Sequence, residues 1–371
     1  MRVLNNVLVT GGSGFIGTNF IRFLFNREQG VSGDGFQDKA PEAEFSGRVI
    51  NLDSLSYAGN PANLSDIEAE YGGKRYFFIK GGIGDSGLLD SLFGDYGVDT
   101  VVHFAAESHV DRSILGPRVF IETNVLGTFN LLEAARKHWK DRSETRFHQI
   151  STDEVYGSLE ESGAFTEDTA YAPRSPYSAS KAAGDHLVYS YFHTYGLPVT
   201  LSNCSNNYGP FQFPEKFIPL MIQNILEGKA LPVYGDGKNI RDWVHVYDHN
   251  RAVYLVLTCG KTGEKYNIGG ENEWENRTLL DAIIKTVSQK AGREEASVRA
   301  AITYVKDRPG HDRRYAINCG KIKRELGWKR IMNFEAGLEQ TVDWYLANQN
   351  WVKTIQSGEY LRWIENNYGS R

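Results

Sequence analysis

Val7-Leu8-Val9-Thr10-Gly11-Gly12-Ser13-Gly14-Phe15-Ile16-Gly17 reads as a short apolar strand, a glycine turn and the first residues of a helix. The helical pattern continues over 18–26. Gly11, Gly14 and Gly17 stand in the spacing G-x-x-G-x-x-G. Glycine permits the tight turn and lets backbone N–H groups approach a pyrophosphate at a helix start, where the helix dipole favours an anion. The chain has 38 glycines, so a triplet alone says little, and Gly81-Gly82-Ile83-Gly84 is equally rich. Strand, turn and helix in that order make the first triplet a dinucleotide site. It sets the fold class: α/β, a Rossmann-type doubly wound parallel sheet with a smaller C-terminal substrate-binding lobe.

The α/β alternation continues downstream. The pattern predicts strands over 48–52, 76–80, 100–104, 146–150 and 199–203, and long helices over 117–139 and 177–195. Asp53 ends the second strand, where a carboxylate can hold the adenosine ribose hydroxyls and repel the extra phosphate of NADP, so the cofactor reads as NAD. Asp53 lies well beyond the usual ~20 residues from the glycines. The excess is 27–47, rich in Gly, Asp, Glu and Ser, which reads as a surface insertion. At the end of the fourth strand, Ala105 and Ala106 would let a flat ring or a pyrophosphate lie close. Ser108 is placed to meet substrate, and His109 reads as structural. Thr123 and Asn124 face either the cofactor or a neighbouring helix. Beyond 205 the alternation loosens, with short strands over 231–234 and 241–244. The dinucleotide-binding domain is expected over 1–205, with parts of 240–262 and 316–345 returning to it, and 206–371 is mainly the smaller lobe.

Bulk properties narrow the function. With a net charge of −5 and pI near 6.0, no basic stripe favours nucleic acid. No apolar run is long enough to span a bilayer, and Met1-Arg2-Val3-Leu4-Asn5-Asn6 has no signal-peptide organisation. Cys204, Cys259 and Cys319 are scattered, fitting reduced thiols in a cytoplasmic protein rather than a metal site or a disulfide.

Two stretches carry chemistry. Ser151-Thr152-Asp153-Glu154-Val155-Tyr156-Gly157 ends a strand, where open parallel sheets bind ligands. In Ser175-Pro176-Tyr177-Ser178-Ala179-Ser180-Lys181, Ser175 can cap a helix with Pro176 at its first position, which puts Tyr177 and Lys181 one turn apart on one face. Tyr-x-x-x-Lys occurs three times, at Tyr76/Lys80, Tyr177/Lys181 and Tyr234/Lys238, but only the second lies on a predicted helix. Free tyrosine has a pKa near ~10. A lysine cation and a positive nicotinamide ring would lower it, so that a phenolate accepts a sugar hydroxyl proton as hydride leaves for NAD. Lys181 can also hold the nicotinamide ribose. Oxidation needs only the tyrosine. The carboxyls of Asp153 and Glu154 suggest an elimination as well, one taking a proton beside the new carbonyl and the other protonating a leaving hydroxyl. Thr152 can hydrogen-bond the hydroxyl being oxidised. A 4-epimerase would need neither carboxyl, and a silent NAD-binding protein would need none of the set.

These stretches, with 206–216, 241–244 and 307–315, resemble the extended short-chain dehydrogenase/reductases, and within them the dTDP-glucose 4,6-dehydratases. The resemblance implies a tightly bound, recycled NAD, the nucleotide sugar dTDP-glucose as substrate, deoxysugar biosynthesis such as that of dTDP-rhamnose, and a homodimer joined through the two long helices. UDP-glucose is the close alternative substrate. The resemblance makes Tyr177 the base for oxidation at C4, Glu154 the base at C5 and Asp153 the acid at the C6 hydroxyl, with Thr152 orienting the sugar. Phe15, Ile16, Asp53, Ile83, Ala105, Ala106, Thr123, Tyr177, Lys181 and Asn207 match NAD contacts. Ser108, Asn206, Lys216, Phe217, Pro232, Tyr234, Arg241, Asn276, Arg308, His311 and Tyr368 match nucleotide-sugar contacts. Where the family commonly has Asp-Ile near the adenine, this chain has Gly82-Ile83, with Asp85 three residues on.

Overall fold

The sheet owes its parallel order to strands that are apolar on both faces and joined by helices. Seven strands run in parallel: β1 (Asn6–Thr10), β2 (Arg48–Asp53), β3 (Tyr76–Lys80), β4 (Thr100–His103), β5 (Arg146–Thr152), β6 (Val199–Cys204) and, after three strands of the smaller lobe, β10 (Lys265–Ile268). Those three are β7 (Asn206–Tyr208), β8 (Leu231–Tyr234) and β9 (Ile240–His245); β11 (Glu273–Glu275) and β12 (Ile302–Val305) follow. The large sheet has the order β10-β6-β5-β4-β1-β2-β3. The direction in which successive strands are added reverses between β1 and β4, and a cleft opens there beyond the strands' carboxyl ends. This computed structural model describes residues 1–26, 45–141 and 143–356. Most of the expected insertion at 27–47, and all of Tyr368, lie outside the described residues.

The smaller lobe is built on two short sheets, β11-β9-β7 and β12-β8. Its core packs Ile218, Met221 and Ile222 from the helix Phe217–Glu227 against Leu280, Ile283 and Ile284 from Asn276–Ala291. The helix Val246–Cys259 buries Val253, Val256 and Leu257 in the core around β1 and β10, so the chain crosses between lobes more than once.

The helix expected over 117–139 forms with a break. An α-turn (Arg118–Ile121) is followed by a π-helical segment (Glu122–Gly127) and then by Thr128–His138. π-Segments often sit at functional sites. Here the bulge puts Thr123 on the cleft wall, while Asn124 turns inward and hydrogen-bonds Glu107 and Ser180.

Two histidines are locked in the sheet interior. His103 bonds Thr10 and Thr128, and His148 bonds Thr200 and Ser202. Burial pushes both imidazoles down to about 3. An unfolded histidine titrates near ~6.5. Below that pH the unfolded chain takes up protons that the fold refuses, so this contribution to stability is present above ~6.5 and lost as pH falls toward 3. Calorimetry at pH 5.5 in two buffers of different ionisation enthalpy should show His148→Gln taking up about one proton fewer on unfolding than the parent chain. Equal uptake would show that His148 is charged in the fold.

Candidate active site

β5 is buried along its whole length and runs on through Thr152, two residues past the expected end. A short 3₁₀ turn, Asp153–Tyr156, then carries both carboxyls around the strand end, and the Thr152 hydroxyl caps it by accepting the Glu154 N–H at 3.3 Å. Asn203 Nδ2 donates to the Thr152 carbonyl at 3.1 Å and fixes the turn to β6. The facing helix is Pro176–Tyr195. Ser175 accepts the Ser178 N–H at 3.0 Å, and the Ser178 hydroxyl accepts the Ser175 N–H at 3.1 Å. A cap of this kind contributes ~1 kcal/mol, with Pro176 in place at the first helical position. It aims Tyr177 and Lys181 across the cleft at the triplet.

Thr152, Asp153, Glu154, Tyr177 and Lys181 all line one cavity of about 500 Å³. The same cavity is lined by Gly11, Gly14, Phe15, Ile16, Gly17, Asp53, Ile83, Ala105, Ala106, Thr123 and Asn207, and by Ser108, Asn206 and Lys216. Residues far apart in sequence thus converge on one cleft.

The two carboxyls differ in surroundings. Asp153 is 1% exposed, and its Oδ2 has no hydrogen-bond partner among the described residues. Burial, then Glu154 and Asp242, raise it well above the usual carboxylate range, which keeps it a neutral acid. Burial raises Glu154 too, but Arg241, Arg308 and Lys216 oppose it and favour the carboxylate. Both carboxyls are raised, Asp153 the more strongly, and Glu154 has more cations opposing the rise.

Burial, followed by Glu154 and Cys204, makes the Tyr177 phenol much less acidic than an ordinary tyrosine, while a hydrogen bond with Thr152 acts the other way. Lys181 Nζ donates to the Ile150 carbonyl at 2.6 Å rather than to the phenol.

The cleft fits a dinucleotide. Gly11 has φ +70°, and a Cβ there would lie 2.7 Å from the Ala105 N; at Gly17 it would lie 2.3 Å from the Gly11 carbonyl. The helix Phe15–Leu24 has no side-chain cap and no acidic residue in its first turn, so its first N–H groups are available to an anion. Asp53 is held by the Ser13 and Leu55 N–H groups at 2.9 and 2.8 Å. Asn207 Oδ1 is buried and unpartnered among the described residues. At Gly82 a Cβ would meet nothing nearer than 3.9 Å. Asp85 does not reach into that space: its carboxylate caps the helix Ser86–Tyr96 by accepting the Leu88 N–H at 3.0 Å.

At the other end of the cleft, Lys216 Nζ donates to the Ser108 carbonyl at 3.1 Å. Arg241 stacks 4.1 Å from the Tyr315 ring, and Arg308 lies 4.7 Å over Tyr234 and bonds Asp111 at 3.2 Å. His311 bonds Asp307, and burial, with Arg308 and Arg241, pushes it down to about 4. Phe217 opens its helix, Pro232 pairs with Thr303 in β8–β12, and Asn276 starts its helix; these three, like Tyr234, Arg241, Arg308 and His311, do not line the cavity. His109 is buried and held neutral, as a structural residue would be.

The sequence reading missed one cluster. Tyr57 lines the cleft, with the Arg112 guanidinium 3.8 Å over its ring and Phe213 at 5.6 Å, and Arg112 pairs with Glu215 at 3.2 Å. The only signal was the position of Tyr57 just after Asp53.

Comparison with known proteins agrees with this geometry. The family model described as GDP-mannose 4,6 dehydratase matches residues 8–341. A dTDP-glucose 4,6-dehydratase of Shigella flexneri is 52% identical over 98% of this chain and 99% of its own length. One from Xanthomonas campestris pv. campestris (strain B100) is 52% identical over 95% and 96%. Among solved structures, DesIV, a dTDP-glucose 4,6-dehydratase from Streptomyces venezuelae with NAD and TYD bound, superposes with a TM-score of 0.82 at 46% identity, covering 94% of this chain and 99% of that one. A Thermus thermophilus UDP-glucose 4-epimerase in complex with NAD gives 0.77 at 28% identity, covering 92% and 99%. The Thr-Asp-Glu turn, the Tyr/Lys helix and these full-length matches together establish that the chain belongs to the NAD-dependent sugar-nucleotide 4,6-dehydratase family.

Proposed function

We propose that this chain converts dTDP-glucose to dTDP-4-keto-6-deoxyglucose and water. The observation that carries the reading is the pair of adjacent carboxyls at the end of β5, Asp153 raised well above its ordinary range by burial and Glu154 raised less against three cations, opposite Tyr177. Bound NAD supplies the acceptor for hydride from C4 and the donor for its return to C6. Gly11, Gly14, Phe15, Ile16, Gly17, Asp53, Ile83, Ala105, Ala106, Thr123, Lys181 and Asn207 hold it.

The side chains move the protons. Thr152 orients the C4 hydroxyl, and Tyr177 Oη takes its proton. With a carbonyl at C4, the C5 proton is acidified and passes to a Glu154 oxygen, which gives a proton back to C5 when hydride returns to C6. Asp153 gives its proton to the C6 hydroxyl, which leaves as water. Ser108, Asn206, Lys216, Phe217, Pro232, Tyr234, Arg241, Asn276, Arg308, His311 and Tyr368 hold the nucleotide sugar, with the arginines suited to its diphosphate. Residues 1–205 chiefly hold the cofactor, and 206–371 chiefly the substrate.

The assembly in this reading is a cytoplasmic homodimer. Leu115, Val119, Leu126 and Phe129 are 72%, 43%, 53% and 41% exposed, an apolar row along 115–129 that a second copy would cover. Among the described residues no helix is long and apolar enough to cross a membrane.

Incubation with dTDP-glucose and no added NAD, followed by mass spectrometry, should show the sugar nucleotide losing one water. UDP-glucose in parallel reads the base preference. No loss from either, with NAD added, would overturn the assignment.

A further inference from the structure

Successive turns of the helix Pro176–Tyr195 grip consecutive residues of β5. Lys181 Nζ donates to the Ile150 carbonyl at 2.6 Å. One turn further on, Asp185 Oδ2 accepts the Ser151 hydroxyl at 2.6 Å and the Tyr171 hydroxyl at 3.1 Å. From the other side, Cys204 Sγ donates to the Ser151 carbonyl at 3.3 Å. Asp185 is fully buried and does not line the cleft. A buried carboxylate is costly unless its charge and its hydrogen bonds are used. Here the bonds tie the helix that carries Tyr177 and Lys181 to the residue preceding Thr152-Asp153-Glu154.

We infer that Asp185 is a positioning residue for the dehydration: with Ser151 and Tyr171 it sets the register of Tyr177 and Lys181 on the Thr152–Glu154 turn. The inference rests on the dehydratase reading above. Asp185 follows Lys181 by four residues, one helical turn, on a helix whose two side chains both face β5. Burial pushes Lys181 down and Asp185 opposes that push. Burial raises Asp185 to about 6 against Lys181, Ser151 and Tyr171. Tyr156, Tyr171 and Tyr189 also feel Asp185, as does Lys265 on β10, while His103 and Cys204 lie near Lys181. Burial keeps His103 neutral and raises Cys204 to about 12, so neither replaces Asp185 as the counter-charge.

The test is a kcat and KM profile over pH 6–10 with dTDP-glucose and saturating NAD. Asp185→Asn keeps the shape of the side chain and removes the charge. An amide is a weaker acceptor for the Ser151 and Tyr171 hydroxyls than a carboxylate, so kcat should fall at least about fivefold with KM within about threefold. Ser151→Ala keeps the charge and removes the grip: kcat should fall at least about fivefold, with KM within about threefold and both limbs unmoved. Tyr171→Phe should behave like a milder Ser151→Ala. A parental kcat in either Asp185→Asn or Ser151→Ala overturns the inference. If Asp185→Asn does not fold, Ser151→Ala and Tyr171→Phe decide it alone. A parent chain that releases no water would instead sink the functional reading.

Discussion

Asp153→Asn is expected to slow water loss from dTDP-glucose by about 10²–10³, within the range for removing a general acid, while oxidation at C4 stays near the parental rate. The side chain is 1% exposed with one oxygen unpartnered among the described residues, so asparagine fits the space without a clash. What it lacks is the acidic proton. Asp153 has its pKa raised chiefly by burial, so the acid form persists to higher pH than in a free carboxyl, and elimination should weaken as pH rises through that raised value. Rapid quenching and mass spectrometry separate the steps. Loss of C4 deuterium from labelled substrate reports oxidation, and the dehydrated sugar nucleotide reports elimination. If both steps slow equally, Asp153 supports the site's shape rather than the leaving group. If neither slows, the acid is another residue.

The parts of this site that were legible in the sequence are the local ones. The glycine turn, the Ser175 cap and the Tyr177/Lys181 spacing each follow from the conformations open to a few neighbouring residues, and the structure shows all three. The π-segment at Glu122–Gly127 was not legible, since one inserted residue barely disturbs the apolar periodicity of a long helix. The Tyr57, Arg112 and Glu215 cluster joins three separate loops or helix ends, and pairings across such distances leave no mark in a single sequence. β10 was missed for a related reason. It is an edge strand of only four residues, Lys265–Ile268, completing the large sheet after a lobe of different design. The surroundings of the Tyr177 phenol were not legible either. Sequence spacing shows that a lysine is one turn away, but not that its ammonium is bound to the Ile150 carbonyl and that burial dominates the phenol.

That last point makes Tyr177→Phe the other large effect. The substitution removes one oxygen from a residue 8% exposed, so the fold has little to lose. In the proposed reaction this oxygen takes the C4 hydroxyl proton, and elimination requires the C4 carbonyl, so both steps depend on it. Turnover should fall by about 10³ or more, at the upper end of what a general base contributes. Both C4 deuterium loss and water release should fall together, unlike in Asp153→Asn. The pH dependence should also separate the two. Burial and Glu154 favour the neutral phenol, so in the parent chain oxidation is expected to rise with pH as the tyrosine ionises beside a bound positive ring. Tyr177→Phe should show residual oxidation that is flat over the same range. A variant that keeps the parental slope would place the base elsewhere. Glu154 would be the next candidate, since its charge is already the largest electrostatic influence on the phenol after burial.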